Sequence, residues 1–566
     1  MNKLLLLPSA KFIPPELQLE FGRIPTGLVP VDSRPVLEHI AGPYIKEGFE
    51  ALIAVNEGAD LVEKFLSKRP DLHTSSYNVG QTKSLGETIF LSIKSCTILP
   101  GFLVINFADT HIDEPLTIPD AIAYSKLAEH FRWTTFAVDS EKRIVRIEEK
   151  DVEKSDDTDW KTFVGVFSIS NVRLFTDILE KCLSRPRERL DPFYIALTEY
   201  FNGLSTASRN LYSAVSWHDF GHLDTYYSSK KTFFLNRRYF NTIKIDRFKG
   251  VLRKTSTETR KFLDEILWYL KLPKGLQHIA PRVFDFSLEF ERPFVELEFY
   301  GYPALNDVFL YGNFHIGLWN QILIAIKSLI SELFKYQYNP TDDNVLSASM
   351  KDMYEEKTRS RLQKINDNPL FEVFYQKNLK INGKDCLNLP ETLSMMGTIA
   401  EKIKLYEKRC FSIIHGDLCL SNILFDQRNN IVRVIDPRGR FGNLELYGDM
   451  RYDIAKLVHS FEGDYDFIVN GLFEIRTDMN EIFLNVFLNE NHLRVRELFS
   501  NWLRKNWNDD LLGIQYIESM LFLSMVPLHA DSPDSQKAFM AKGLTIFTDL
   551  VSKINSSETK TTKEKT

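Results

Sequence analysis

Cysteine is scarce in this 566-residue chain: five residues, at 96, 182, 386, 410 and 419, with no CxxC pair among them. That excludes a disulfide scaffold and a cysteine-rich zinc site as organising devices. It fits a reducing compartment, so a cytoplasmic location is expected. A basic excess is lacking too. Lys and Arg number 70 against 76 Asp and Glu, a formal net charge of -6, which disfavours a general nucleic-acid-binding surface. No apolar run approaches the ~18 residues of a membrane span, so none is expected. The leucines at 4–7 stop at Pro8, too soon for a signal segment, and read better as a buried first strand. Internal repeats and long low-complexity linkers are also missing. What is present is an ordinary globular composition, 44 % hydrophobic and 26 % charged, with chain enough for three or four folding units of about 150 residues. The polar, lysine-rich stretch 556–566 reads as a disordered tail.

The two halves have different textures. Up to about residue 230, short β-rich runs alternate with helical patterns. Leu4–Leu7, Ala51–Val55, Leu103–Phe107, Trp133–Val138 and Phe163–Ile169 are strand candidates, and Ile89–Ile93 and Phe175–Cys182 fall on helices. The alternation predicts an α/β unit with a mainly parallel sheet over residues 1–235. Near Tyr239 the pattern changes. Phe240–Ile245 and Val251–Lys254 read as antiparallel strands, 257–271 as a helix with Thr257 as N-cap, and Phe294–Tyr300 as a further strand. From about 316 the chain is mostly helical, with strands near 423–426 and 431–435. Residues 236–555 are therefore expected to form a bilobal α+β unit.

The most specific motif is His415-Gly416-Asp417-Leu418-Cys419-Leu420-Ser421-Asn422, followed by a strand and Ile435-Asp436. Phosphoryl transfer from MgATP needs a carboxylate to accept the proton of an attacking hydroxyl, and an acid and an amide oxygen to hold metal on the phosphates. The pattern H-x-D-x-x-x-x-N with a second Asp nineteen positions after the first supplies them. Asp417 is then the base, and Asn422 and Asp436 the metal ligands. Over roughly 240–550 the chain resembles the aminoglycoside phosphotransferase and choline kinase superfamily, relatives of the protein kinases. The resemblance implies that Lys254 grips the nucleotide phosphates, with Arg253 and Lys249 as competitors, and that Glu265 pairs with it. It also implies that Glu296–Tyr300, with Glu298 in it, holds adenine, and that Asp453 braces the catalytic loop. Pro437-Arg438-Gly439 stands where many relatives carry an aromatic or Glu.

The first half resembles sugar-1-phosphate nucleotidyltransferases. The residues that carry this are Leu28–Val31 with Arg34–Glu38, Ser84-Leu85-Gly86-Glu87-Thr88, Val104–Asp109, Glu149-Lys150, Phe163–Phe167 and Trp217-His218-Asp219-Phe220-Gly221. The resemblance implies that Gly86 lies beside the nucleotide, that Lys150 contacts the sugar phosphate, and that Asp109 and Asp219 hold Mg²⁺. Carboxylates at strand ends suit that ion. The opening loop departs from the family. Glycines would let backbone N–H groups approach the phosphates, yet residues 8–21 contain none, and Thr26 stands where a lysine is expected. Either Lys11 or Arg23 supplies the charge, or triphosphate chemistry has been lost.

A kinase makes a phosphomonoester and a nucleotidyltransferase consumes one. The leading expectation is thus a bifunctional enzyme using Mg²⁺, ATP and a second nucleoside triphosphate on a small sugar, polyol or amino alcohol, as in surface-polysaccharide assembly. The alternatives are an active kinase beside a degenerate binding domain, and a non-catalytic scaffold. A choline-like acceptor stays open.

Overall fold

Four consecutive leucines with no polar interruption suit a strand buried on both faces. In the computed structural model, which describes residues 2–126, 133–149, 159–186, 189–233, 241–246, 249–340, 343–407 and 411–563, they lie in the strand Lys3–Ser9 of a nine-stranded sheet. Its parallel neighbours are Glu50–Val55, with Leu4 opposite Glu50, and Phe102–Asn106, with Lys3 opposite Phe102; Thr74–Asn78 extends the parallel side. On the far side of Phe102–Asn106 the sheet changes sense. Lys161–Ile169 pairs antiparallel with Phe102–Asn106, Ala121–Ser125 and Thr135–Val138, and Ile144–Glu148 forms the edge. Asn210–Ser213 returns parallel to Ala121–Ser125.

The sheet is thus parallel-rich around its first strand, as expected of a mainly parallel sheet, and largely antiparallel beyond. The connections explain the difference. Asp139 accepts the N–H groups of Glu141 and Arg143 and closes a tight turn between Thr135–Val138 and Ile144–Glu148, leaving no room for a crossover helix. The helices Leu85–Ser95, Val172–Leu183 and Pro192–Gly203 cover one face, burying Ile89, Phe175, Leu179 and Phe193 with Leu4 and Leu6.

The chain divides into two units, Met1–Phe233 with Tyr311–Asn313, and Phe234–Leu310 with Phe314–Thr566. The second opens with an antiparallel sheet in the order Asn241–Asp246, Val251–Ser256, Phe294–Glu298, Val283–Ser287. Between its strands runs the helix Thr259–Lys271, whose N-cap is Glu258 rather than the predicted Thr257. The Glu258 N–H donates to the Ser256 hydroxyl, and the helix starts one residue later than predicted.

The remainder is mostly helical. The strand pairs Phe411–Ile413 with Tyr447–Asp449, and Ile423–Asp426 with Ile431–Val434, interrupt it, as does a hairpin of Phe473–Asp478 with Glu481–Val486 that the sequence pattern does not announce. The last helix, Pro533–Lys563, runs on past Ser556, where the sequence predicts a disordered tail. No Pro or Gly stands there to stop it. Among the described residues two helical segments, Ile316–Phe334 and Glu490–His529, are long and apolar enough to cross a membrane. In the first, Trp319, Ile322, Ile326 and Leu333 are buried within the unit.

Candidate functional sites

His415 and Gly416 follow the strand Phe411–Ile413, and both present their N–H groups to one carboxylate. Asp453 accepts them at 2.7 and 2.8 Å. It projects from the helix Met450–Phe461, which Asp449 caps by accepting the Arg451 N–H. Burial pushes Asp453 up to about 7 in spite of these two bonds. The His415 imidazole is buried, which pulls it down to about 4. A neutral ring with its proton on Nε2 donates to the Ile435 carbonyl at 3.0 Å and accepts the Asp417 N–H on Nδ1 at 3.3 Å. His415 therefore pins the Asp417 turn to the residue just before Asp436.

Asp417 has a donor at each carboxylate oxygen. Lys456 Nζ lies 2.8 Å from Oδ1, and Asn422 Nδ2 lies 3.3 Å from Oδ2 and 2.9 Å from the Asp417 carbonyl. Asn422 thus spends its nitrogen on Asp417, leaving its oxygen as the atom suited to a cation. Asp436 sits at a φ of +56° and donates its N–H to the Tyr269 hydroxyl at 3.1 Å. Lys254 is buried and bridges Glu265, at 2.8 and 2.9 Å, to Asp436 Oδ1, at 3.1 Å. Burial works against its charge, but Asp436 and Glu265 outweigh it, so the ammonium is held above the ordinary lysine range.

One helix face organises much of this. Glu265, Trp268 and Tyr269 are spaced i, i+3, i+4 on Thr259–Lys271, and Trp268 Nε1 donates to the Ile414 carbonyl at 2.8 Å. Gly439 fixes the helix position. Its φ is +78°, and a Cβ there would collide with the Asp264 carbonyl. Arg253 pairs instead with Glu296 at 2.9 Å, and Lys249 lies beside Asp246. Glu298 is not brought to this cluster. Its N–H donates to the Arg282 carbonyl and its side chain accepts the Tyr300 hydroxyl. Lys456, Tyr269 and the His415 linkage escaped the sequence reading. A lysine and a tyrosine inside amphipathic helices carry no motif of their own.

In the first unit Asp109 follows the strand Phe102–Asn106, and its carbonyl accepts the Phe220 N–H at 2.8 Å. That ties it to the short strand Trp217–Asp219, which pairs with Thr110–Ile112. A Cβ on Gly221 would overlap Asp109 Oδ2 and lie 3.3 Å from Asp219 Oδ1, so both carboxylates flank that glycine. Burial and the Asp219 charge push Asp109 up to about 6. Asp219 is further held by the Gly221 N–H at 3.1 Å, by His222 Nδ1 at 3.1 Å and by the Thr225 hydroxyl at 2.6 Å. Among the described residues no group of three or more His, Cys, Asp or Glu is placed to hold a metal ion. Asp109 with Asp219, and Asn422 with Asp436, would therefore each need phosphate or water oxygens to complete Mg²⁺ coordination.

The Leu85 and Gly86 N–H groups both donate to Asp191, at 2.9 and 3.0 Å. A Cβ on Gly86 would lie 2.9 Å from the Phe193 nitrogen, so this glycine serves the close approach of two helix starts. The opening segment, which lacks the family's glycines, forms the helix Pro15–Phe21 and buries Ile13, Leu17, Phe21 and Ile24. Two of its N–H groups are spent internally, Phe12 on Glu57 and Gly27 on the Ser9 hydroxyl. Lys150 lies outside the described residues.

No family model matches the chain, and no curated protein matches it. Solved structures similar to it include a nucleoside-diphosphate-sugar pyrophosphorylase from Vibrio cholerae, at 14 % identity over 40 % of this chain and 99 % of that one, TM-score 0.33. A CTP:phosphocholine cytidylyltransferase from Streptococcus pneumoniae is similar at 10 % identity over 41 % of this chain and 99 % of that one, TM-score 0.33. An inositol-1-phosphate CTP transferase from T. maritima is similar at 15 % identity over 41 % of this chain and 96 % of that one, TM-score 0.32.

Proposed function

We propose that the second unit transfers the γ-phosphoryl group of ATP to a hydroxyl of a small molecule. The observation that carries this is Lys254 joining Glu265 to Asp436 on one side, with Asp417, Asn422 and His415 tied to the same segment on the other. Asp417 accepts the hydroxyl proton. The hydroxyl oxygen bonds to the γ-phosphorus, the bond from that phosphorus to the β,γ-bridging oxygen breaks, and ADP leaves. Asn422 and Asp436 would hold Mg²⁺, which when bound supplies charge neutralisation on the phosphates. Lys254, kept charged by its two carboxylates, binds phosphate oxygens.

For the first unit the reading is a nucleotidyl transfer that consumes the phosphomonoester, with Asp109 and Asp219 as the metal-facing carboxylates. A second reading, a module that binds a nucleotide or sugar without turnover, is favoured by the packed opening segment and its spent N–H groups. The test is a ³¹P spectrum of the full chain with Mg²⁺, ATP, CTP, GTP, UTP, dTTP and a pool of sugars, polyols and amino alcohols. A phosphomonoester that converts to a diphosphodiester with pyrophosphate supports both steps. Accumulation of the phosphomonoester supports the second reading. Phosphomonoester formation that persists in Asp417→Asn would sink the phosphotransfer assignment.

A further inference from the structure

Arg438, Arg361 and Lys456 crowd Lys357, and of these four cations only Lys456 has been given a role above. Lys357 and Arg361 lie one turn apart on the helix Lys357–Gln363, so they share a face. Lys357 Nζ stands 5.9 Å from the centre of the Tyr452 ring, and Arg438 Nη1 donates to the hydroxyl of the same tyrosine at 3.2 Å. The stem of Arg438 lies against Gly416, where an added Cβ would come within 2.9 Å of Arg438 Cβ. Arg361 reaches the Ser524 carbonyl at 3.0 Å. Among the described residues Lys456 pairs with a carboxylate, that of Asp417; Lys357, Arg361 and Arg438 form no ion pair. Burial, then the charges of Arg438, Arg361 and Lys456, drive Lys357 well below the ordinary lysine range, with Asp417 opposing.

Three cations crowded together, with Asp417 and Glu258 opposing from beyond ion-pair distance, are costly to hold. Such an arrangement is retained where a ligand supplies the missing charge. We propose that the phosphoryl acceptor is an anion, whose carboxylate or phosphate group is bound by Lys357, Arg361 and Arg438 while its hydroxyl faces Asp417. This rests on the phosphotransfer reading of the second unit. It gives Arg438, in the Pro437-Arg438-Gly439 segment, a purpose as a planar donor for an anionic group. It also excludes a quaternary-amine acceptor, which the same cations would repel.

Calorimetric titration of the full chain tests the proposal, with D-glycerate, glycerol 3-phosphate, glycerol and choline as probes, each with and without Mg·AMP-PNP. The two anions are expected to bind, and Lys357→Met and Arg361→Met to weaken them about tenfold or more. Mg·AMP-PNP affinity should stay within about twofold of wild type. Glycerol or choline binding as tightly as the anions would overturn the proposal, and so would absence of anion binding. A loss of Mg·AMP-PNP affinity in both variants would also overturn it, by assigning these cations to the phosphates of the nucleotide. Circular dichroism of each variant separates lost binding from lost folding, and the two substitutions are independent. If Mg·AMP-PNP fails to bind wild type, the phosphotransfer reading fails on its own, while the nucleotide-free titrations still report on the cluster.

Discussion

Lys456 Nζ and Asp417 Oδ1 stand 2.8 Å apart, a pair formed between the helix Met450–Phe461 and the loop after the strand Phe411–Ile413. With Asn422 on the other oxygen, the Asp417 carboxylate is held in one orientation. Misplacing a reacting group by about 1 Å can cost on the order of 10²-fold in rate. On the phosphotransfer reading, Lys456→Met should therefore lower kcat by roughly 10- to 100-fold and leave KM for MgATP nearly unchanged, read from initial rates of ADP formation. An unchanged kcat would mean that Asn422 alone orients the base.

Asp453 should be as sensitive to an isosteric change. In Asp453→Asn one of the two N–H groups, His415 or Gly416, faces an amide NH₂. A buried donor left without an acceptor costs about 1–3 kcal/mol. Urea unfolding should show a loss of that order together with lower turnover. Equal stability would require the loop to have found another acceptor.

Gly86→Ala probes the first unit without touching its carboxylates. The methyl would press on the Phe193 backbone, and overpacking of this kind costs about 1–3 kcal/mol. The expected readout is a lower unfolding midpoint with an unchanged second transition, if the two units melt separately. No change would show that the two helix starts can part without loss.

Asp109 gives a pH signature whose sign follows from its raised pKa. The folded carboxyl titrates at about 6, against about 4 in an unfolded chain. Its protonated form is thus favoured by folding, and stability is lost as pH rises from about 4 through 6. Asp109→Asn should raise Tm at about pH 8, where the wild-type group is charged, by about 2–4 °C per kcal/mol recovered. The gain should fade towards about pH 4. Added Mg²⁺ should raise the wild-type Tm more than that of the variant. A gain independent of pH would contradict the electrostatic origin.

Lys357→Met carries an opposite pair of consequences. Removing a crowded cation of similar shape should raise stability, by about 1 kcal/mol or more, while anion affinity falls. Thermal unfolding with and without D-glycerate checks both. A destabilised variant would show that Lys357 supports the helix Lys357–Gln363 rather than a ligand.

Much of the second site is compact in sequence. Asp417, Asn422 and Asp436 occupy twenty residues, and a strand pair between them dictates how they meet. Lys254 and Glu265 are eleven residues apart, on the strand Val251–Ser256 and the helix that follows, so their approach is also a local matter. The basic cluster is different. Lys357, Arg361, Arg438 and Lys456 come from three segments, and solvated surface is the ordinary fate of such residues. Nothing in their spacing marks them. In the first unit the missing glycines of the opening loop are plain in the sequence. That Ile13, Leu17, Phe21 and Ile24 form a buried face depends on what the fold places beneath them. The antiparallel side of the sheet was hidden for a related reason: one strand sequence serves either sense, and the connecting turns decide.

The contact of Gly439 with the helix Thr259–Lys271 bears on Lys254. That helix carries Glu265, Trp268 and Tyr269, and the glycine gives it a single seat against the Asp264 carbonyl. Any larger residue at 439 would drive the helix outward and part Lys254 from its carboxylate. On the phosphotransfer reading a bulkier residue at 439 would thus act at a distance, weakening the grip of Lys254 on phosphate without touching it.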